Sequence, residues 1–176
     1  MRMKRLLYPM RTYLVVSGRI GEEVDVMAAD WVTMVSADPF IIAVAISPKR
    51  YTHKLITKYK EFVLSVPTVK ILEDVWVFGS RSGPGKLSEA RITFEKPKAV
   101  NVPLIREAVA NLEFRVIGMH DYGDHTLFIG EVVAYSFDER VFPGDEPKPG
   151  SGFVLHIARD KFTVEQTSVF KPSLKT

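Results

Sequence analysis

Apolar positions along this chain recur mostly at strand spacing. Residues 12–17 are rich in β-formers, residues 24–36 form a long mixed segment, and residues 40–47 are an apolar run of buried-strand length. Asp38-Pro39 separates the last two and reads as a turn. Residues 61–66 predict a further short strand, ended by Pro67. The clearest hairpin comes later. Leu112, Phe114 and Val116 alternate with Glu113 and Arg115, which gives one buried and one wet face. That strand continues towards Tyr122, Gly123-Asp124 supplies a two-residue turn, and residues 125–136 return as its partner. Residues 153–158 and 161–166 predict a last pair of strands. Two helices interrupt them. Tyr51, Leu55, Ile56 and Tyr59 share one helical face with Lys54 and Lys58 outward, and Val69, Leu72, Val75 and Trp76 repeat the pattern in a second helix that closes at Gly79. Residues 80–86 and 141–152 are rich in glycine and proline and read as loops. The sum is a mainly β chain with two short helices, an antiparallel barrel or sandwich, in one domain over residues 1–176.

Composition narrows what such a fold can do. The chain has 176 residues, 46% hydrophobic and 11% aromatic, enough to bury a sizeable core and to exclude intrinsic disorder. It has no cysteine, so disulfides, thiol nucleophiles, zinc ribbons and iron–sulfur clusters are excluded. The formal net charge of +3 is a mild surplus that suits a small anionic ligand better than a nucleic acid. The N-terminal apolar stretch is too short for a signal-peptide core, and the longest apolar run is far short of a membrane span. A cytoplasmic protein with no membrane or nucleic-acid partner is expected.

Four segments could carry chemistry. Ser47-Pro48-Lys49-Arg50-Tyr51-Thr52-His53 lies where a buried strand ends and a helix begins, so free N–H groups and the positive end of the helix dipole favour an anion. Arg50 adds a bidentate fork, and Ser47 and Thr52 add hydroxyls. Ordinary helix capping beside a solvated lysine face accounts for the same residues equally well. Met27-Ala28-Ala29-Asp30-Trp31 sets small residues beside a Trp in a strand-like segment, leaving room for a flat ligand against the backbone; a strand edge with a core Trp31 is the plainer reading. Ser82-Gly83-Pro84-Gly85-Lys86 lacks the spacing of a nucleotide-hydrolysing phosphate loop, because Leu87 follows Lys86, and serves either as a lid with one lysine or as a surface loop. His125 follows a tight turn, where it could project over a barrel mouth or simply be solvated. The four histidines show no metal-ligand spacing, so no metal is expected, and no nucleophilic triad can be assigned.

Taken in order, these segments resemble the flavin reductase-like family, whose electron-carrying member is flavoredoxin and whose fold is the FMN-binding split barrel. The residues that carry the resemblance run from Met27-x-x-x-Trp31 through Asp38-Pro39, Ser47-Pro48-x-Arg50-Tyr51-Thr52, Ile56 and Glu61-Phe62-Val63. Ser82-Gly83 with Lys86, and Gly123-Asp124-His125-x-Leu127-Phe128-x-Gly130-Glu131-Val132, complete it. The resemblance implies a homodimer of six-stranded Greek-key split barrels that binds FMN non-covalently near the subunit interface. Ser47, Arg50, Tyr51 and Thr52 would then hold the phosphate, and Met27, Ala28, Ala29, Asp30 and Trp31 would lie along the ring. Lys86 and His125 would reach the cofactor from the loop and the hairpin. Two positions depart from the family's habit: Asp25 stands where Asn is common, and Ala28 where Thr or Ser is.

An FMN-dependent oxidoreductase is therefore the leading expectation, passing electrons from NADH or NADPH to a flavin, ferric or quinone-type acceptor. The absence of an acid–base dyad fits, because a flavin brings its own reactivity. With no dinucleotide fingerprint in the chain, nicotinamide would bind only transiently. A flavoredoxin-type carrier, exchanging electrons with a small-molecule or protein redox partner, is the alternative. An OB-like single-strand binder is the remote one, since the basic residues gather at a helix start rather than along a sheet face.

Overall fold

The structure is a computed structural model that describes residues 3–172. Its elements, in chain order, are β1 (Met10–Arg11), β2 (Tyr13–Arg19), β3 (Glu23–Ala29), β4 (Val32–Ala37), β5 (Phe40–Ile46), α1 (Tyr51–Tyr59) and β6 (Glu61–Val66). Then follow α2 (Leu72–Ser80), β7 (Phe94–Glu95), β8 (Leu104–Ile105), β9 (Ala110–Tyr122), β10 (His125–Phe137), β11 (Val154–Ala158) and β12 (Lys161–Val164). Seven strands form one antiparallel sheet in the order β3-β2-β6-β9-β10-β5-β4. Both edges of that sheet come from consecutive strands, β3 and β4, and the barrel is split between them.

The fold class is as expected, with seven strands in the main sheet where six were expected. The physical reason lies at Asp30-Trp31, where the 24–36 segment breaks into two strands. The Asp30 carboxylate accepts hydrogen bonds from Thr12 Oγ1 (2.8 Å), Tyr8 OH (3.2 Å) and His156 Nδ1 (2.7 Å), which hold it away from the ladder. The chain then resumes on the far side of the barrel, where Trp31 O accepts the Ala45 N–H.

Two apolar cores stabilise the arrangement. One gathers Val15, Ile42, Val44, Ile46, Ile56, Phe62, Phe114 and Phe128, with Met27 and Val32 packed beside them, so all seven strands wrap around it. The other lies on the opposite face of β3-β2-β6 under α2, through Leu14, Val16, Val26, Val63, Val75 and Phe78. Because both faces of β2 are covered, its residues Leu14 to Gly18 carry a continuous buried run instead of an alternation. The second helix begins at Leu72 and not at Val69. The Val69 N–H is taken by Gly152 O (2.8 Å) and Thr68 bridges Phe153, so the first residues form a short 3-10 turn. Part of the glycine-rich loop is also ordered, as a 3-10 turn over Pro84–Glu89. Among the described residues no helix is long and apolar enough to cross a membrane.

Candidate functional site

At the edge of the sheet β3 pairs only with β2, so its outer backbone groups have no ladder partner there. A narrow cleft lies against this edge. Asp25, Met27 and Ala28 form its floor, Arg50, Tyr51 and Thr52 one wall, and Phe78 and Gly79 with Arg81, Ser82, Gly83 and Lys86 the other. The first wall is the start of α1. Its cap residue, Arg50, is extended and makes no side-chain capping bond; the His53 N–H turns back to Arg50 O (3.2 Å), which leaves the Tyr51 and Thr52 N–H groups at the head of a nine-residue helix open to an anion. Arg50 is exposed, with its guanidinium free of any carboxylate partner among the described residues. The second wall comes from the C-terminus of α2. Gly79 approaches closely enough that a Cβ there would sit 3.5 Å from that of Ala28.

The residues anticipated from the sequence fall into three groups. Met27, Ala28, Arg50, Tyr51, Thr52 and Lys86 meet at the cleft. Trp31 and His125 meet elsewhere, with ring centroids 4.7 Å apart, past the break at Asp30 where Trp31 O accepts the Ala45 N–H of β5 and His125 begins β10. Two residues, Ala29 and Asp30, separate Ala28 from Trp31, and the strand breaks at the second of them. Ala29 is buried, Asp30 is committed to Thr12, Tyr8 and His156, and Ser47 lies outside the cleft, its carbonyl accepting the Arg50 N–H at 2.9 Å.

Several side chains point away from where an anion would sit. The Thr52 hydroxyl donates to Asp25 Oδ2, and the Tyr51 hydroxyl donates to Glu23 Oε2 at 2.7 Å. The Lys86 ammonium lies 3.0 Å from Asp25 Oδ1, with both side chains buried. This explains how an acid at position 25 is tolerated: its charge is turned inward and cancelled. Glu23 also accepts from Lys58 Nζ (2.6 Å) and Tyr59 OH (2.8 Å). Those donors, Lys58 foremost, hold its carboxyl down at about 2. At the other end, His125 Nδ1 bonds Asp124 Oδ1 at 2.7 Å, which lowers the Asp124 carboxyl and leaves His125 Nε2 without a protein partner among the described residues.

Arg81 was not anticipated from sequence. It follows a glycine-containing helix end with no spacing that marks it, and only the packing of α2 against β3 brings it opposite Arg50. A separate cavity of about 540 Å³ opens at one end of the barrel, lined by Tyr13, Met34, Phe40, Leu112, Tyr135, Phe137 and Phe142. Its one cationic side chain, Arg11, is held over the rings of Tyr13 and Phe153 at 5.3 and 4.1 Å. With so little polar chemistry it is a packing surface rather than a reactive site.

A split barrel with a cationic helix start beside an unpaired strand edge defines a β protein with one cationic cleft, and comparison with known proteins gives that class a family. The chain belongs to the flavin reductase-like family, whose domain description, "Flavin reductase like domain", matches residues 3–163. It is 53% identical over 167 residues to an uncharacterised protein of Pyrococcus abyssi, covering 95% of this chain and 96% of that one. A protein of Archaeoglobus fulgidus named ferric-chelate reductase (NAD(P)H) is 34% identical over 129 residues, 69% of this chain and 72% of its own. Among solved structures, an FMN-binding protein from Thermus thermophilus with bound p-hydroxybenzaldehyde superposes with a TM-score of 0.84. It is 32% identical, with 94% of this chain and 91% of that one covered.

Proposed function

We propose that this protein binds FMN non-covalently along the outer edge of β3 and acts as a flavin-dependent reductase. It would draw electrons from NADH or NADPH and pass them to a flavin, ferric or quinone-type acceptor. The observation that carries this reading is the uncapped start of α1 beside the unpaired edge of β3, a cleft suited to the FMN phosphate, with the Trp31–His125 aromatic pair beyond the break at Asp30 as a surface for the flat ring. The names of the Archaeoglobus and Thermus relatives support the reading.

When bound, the flavin would accept a hydride or single electrons. The chain's own residues bind and orient it. Arg50 and the first N–H groups of α1 hold the phosphate, with Arg81, itself 3.5 Å from Glu89, on the opposite wall, while the β3 edge at Met27 and Ala28 offers backbone groups free of a ladder partner. His125 presents Nε2 beside Trp31, where a donor would favour negative charge on the ring. Asp124 orients that imidazole through Nδ1. The protein works in the cytoplasm as a homodimer. A second reading, a carrier that receives electrons from a protein partner, is supported by the sequence carrying no dinucleotide fingerprint.

Visible spectroscopy tests both. The purified protein should retain flavin absorption after FMN loading and desalting, and anaerobic NADH or NADPH should bleach it. Retention without bleaching selects the carrier, whereas failure to retain flavin removes both readings. His125→Ala should shift the midpoint potential or the reduction rate more than the affinity. If none of the three changes, His125 has no part in the site.

A further inference from the structure

One group at the cleft remains without a role in holding an anion, the ammonium of Lys86. We propose that Lys86 and Asp25 form a buried positioning pair that fixes the second wall of the cleft, and that Lys86 does not itself touch the anion. The proposal rests on the reading of FMN at the β3 edge. Both side chains are almost fully buried, at 3% and 1% exposure, and Nζ lies 3.0 Å from Oδ1. A lysine withdrawn this far from water is found only where a countercharge holds it.

Asp25 ties three separate pieces of chain together. It stands on β3, accepts the Thr52 hydroxyl from the start of α1 on Oδ2, and is ion-paired through Oδ1 with Lys86 from the 3-10 turn at 3.0 Å, without a hydrogen bond at that oxygen. These are the floor and the two walls of the cleft. Gly83 makes this possible, because its φ of +80° turns the chain so that Lys86 returns beneath Arg81 and Ser82. The pair also sets the local charge. With Lys86 cancelling Asp25 and Arg81 lying 3.5 Å from Glu89, the cationic character of the cleft comes chiefly from Arg50 and the helix start. Without Lys86, a carboxylate would lie uncompensated under the phosphate and oppose it.

Three variants decide the matter: Lys86→Met, Asp25→Asn and the two combined. FMN affinity is read by fluorescence titration, and amide exchange over residues 81–89 is read on the flavin-free chain. Lys86→Met should weaken FMN by about tenfold or more, and both single variants should speed exchange in that segment. The double variant, a neutral pair of similar size, should bring both readouts to within about threefold of the wild type. A double variant that recovers slow exchange but still binds FMN as weakly as Lys86→Met would make Lys86 a direct contact and overturn the proposal. Unchanged exchange in both single variants would overturn it too. If Lys86→Met does not fold, the double variant decides: near-native affinity upholds the pair, and weak binding or misfolding rejects it. A wild type that does not bind FMN defeats the functional reading, while exchange in the flavin-free chain still judges the pair.

Discussion

At the scale of single residues, the structure separates side chains that face a ligand from side chains that face the protein. Arg50 and Thr52 are two positions apart and were expected to act together, yet Arg50 is exposed and Thr52 is buried against Asp25. Their substitutions should therefore divide. Arg50→Ala should leave the thermal midpoint unchanged and weaken FMN binding by about 1.5–3 kcal/mol, the worth of a charge-assisted bond. Thr52→Val leaves a buried carboxylate short of one donor and should cost about 1–3 kcal/mol of folding stability. Equal effects of both on affinity alone would show that Thr52 faces the ligand. His53 offers a pH test. Its Nε2 lies 2.9 Å from Thr126 Oγ1, whose proton goes to Asp121, so His53 is the donor in that bond. Burial lowers its pKa below the ordinary value despite the opposing charge of Asp121. The folded state therefore refuses a proton that the unfolded chain accepts. Stability should fall as pH drops through about 6.5 towards the folded value, then level off. His53→Gln should remove that segment of the profile, which urea midpoints at several pH values between 7.5 and 5 would reveal.

Among the elements, β10 shows how closely the barrel is packed around its glycines. At Gly130 an added Cβ would lie 2.7 Å from two ring atoms of Phe62 and 3.2 Å from Phe114 Cβ. Those two rings are themselves stacked at 5.0 Å, so neither can yield without disturbing the other. The register between β9 and β10 also shifts between Ile129 and Gly130. Gly130→Ala should destabilise the protein by about 1–3 kcal/mol through overpacking, with a lower thermal midpoint as the readout. Sequence patterning located the longer strands and both α-helices, because hairpins and short amphipathic helices write their period into the chain, while the two-residue strands β1, β7 and β8 are too short to show one. The break at Asp30-Trp31 was not legible. Its cause is a set of bonds to Tyr8, Thr12 and His156, the last of them 126 residues away. The cleft was legible on one side for a related reason. The α1 wall is local, a strand end and a helix start within a few residues. The opposite wall needs α2 to pack on β3, and the inward aim of Lys86 depends on Asp25, 61 positions earlier.

For the whole molecule the open question is what covers the apolar mouth of the barrel. Met34, Tyr135 and Phe137 are 73%, 60% and 48% exposed, and all three line the 540 Å³ cavity with Phe40 and Phe142. Tyr135 and Phe137 stack on each other, Phe137 meets Phe142 edge-on, and Phe142 meets Phe153, so one aromatic surface continues from β10 to β11. A connected exposed apolar surface of this kind marks an association site. In the proposed homodimer a second copy of the chain occupies it, since an isologous pairing requires only that one patch complement itself. About 800 Å² per subunit would make such an interface stable. Sedimentation should then give twice the chain mass at micromolar concentration. Met34→Asp with Tyr135→Asp should halve it, because charges buried in an apolar interface without partners are costly. The cleft at β3 shares none of the residues lining this cavity. FMN affinity in the monomeric variant therefore reports whether the partner completes the flavin site. Native affinity would make each barrel self-sufficient, and a large loss would place part of the site on the second subunit. A wild type that sediments as a monomer at every concentration would remove the dimer from the account.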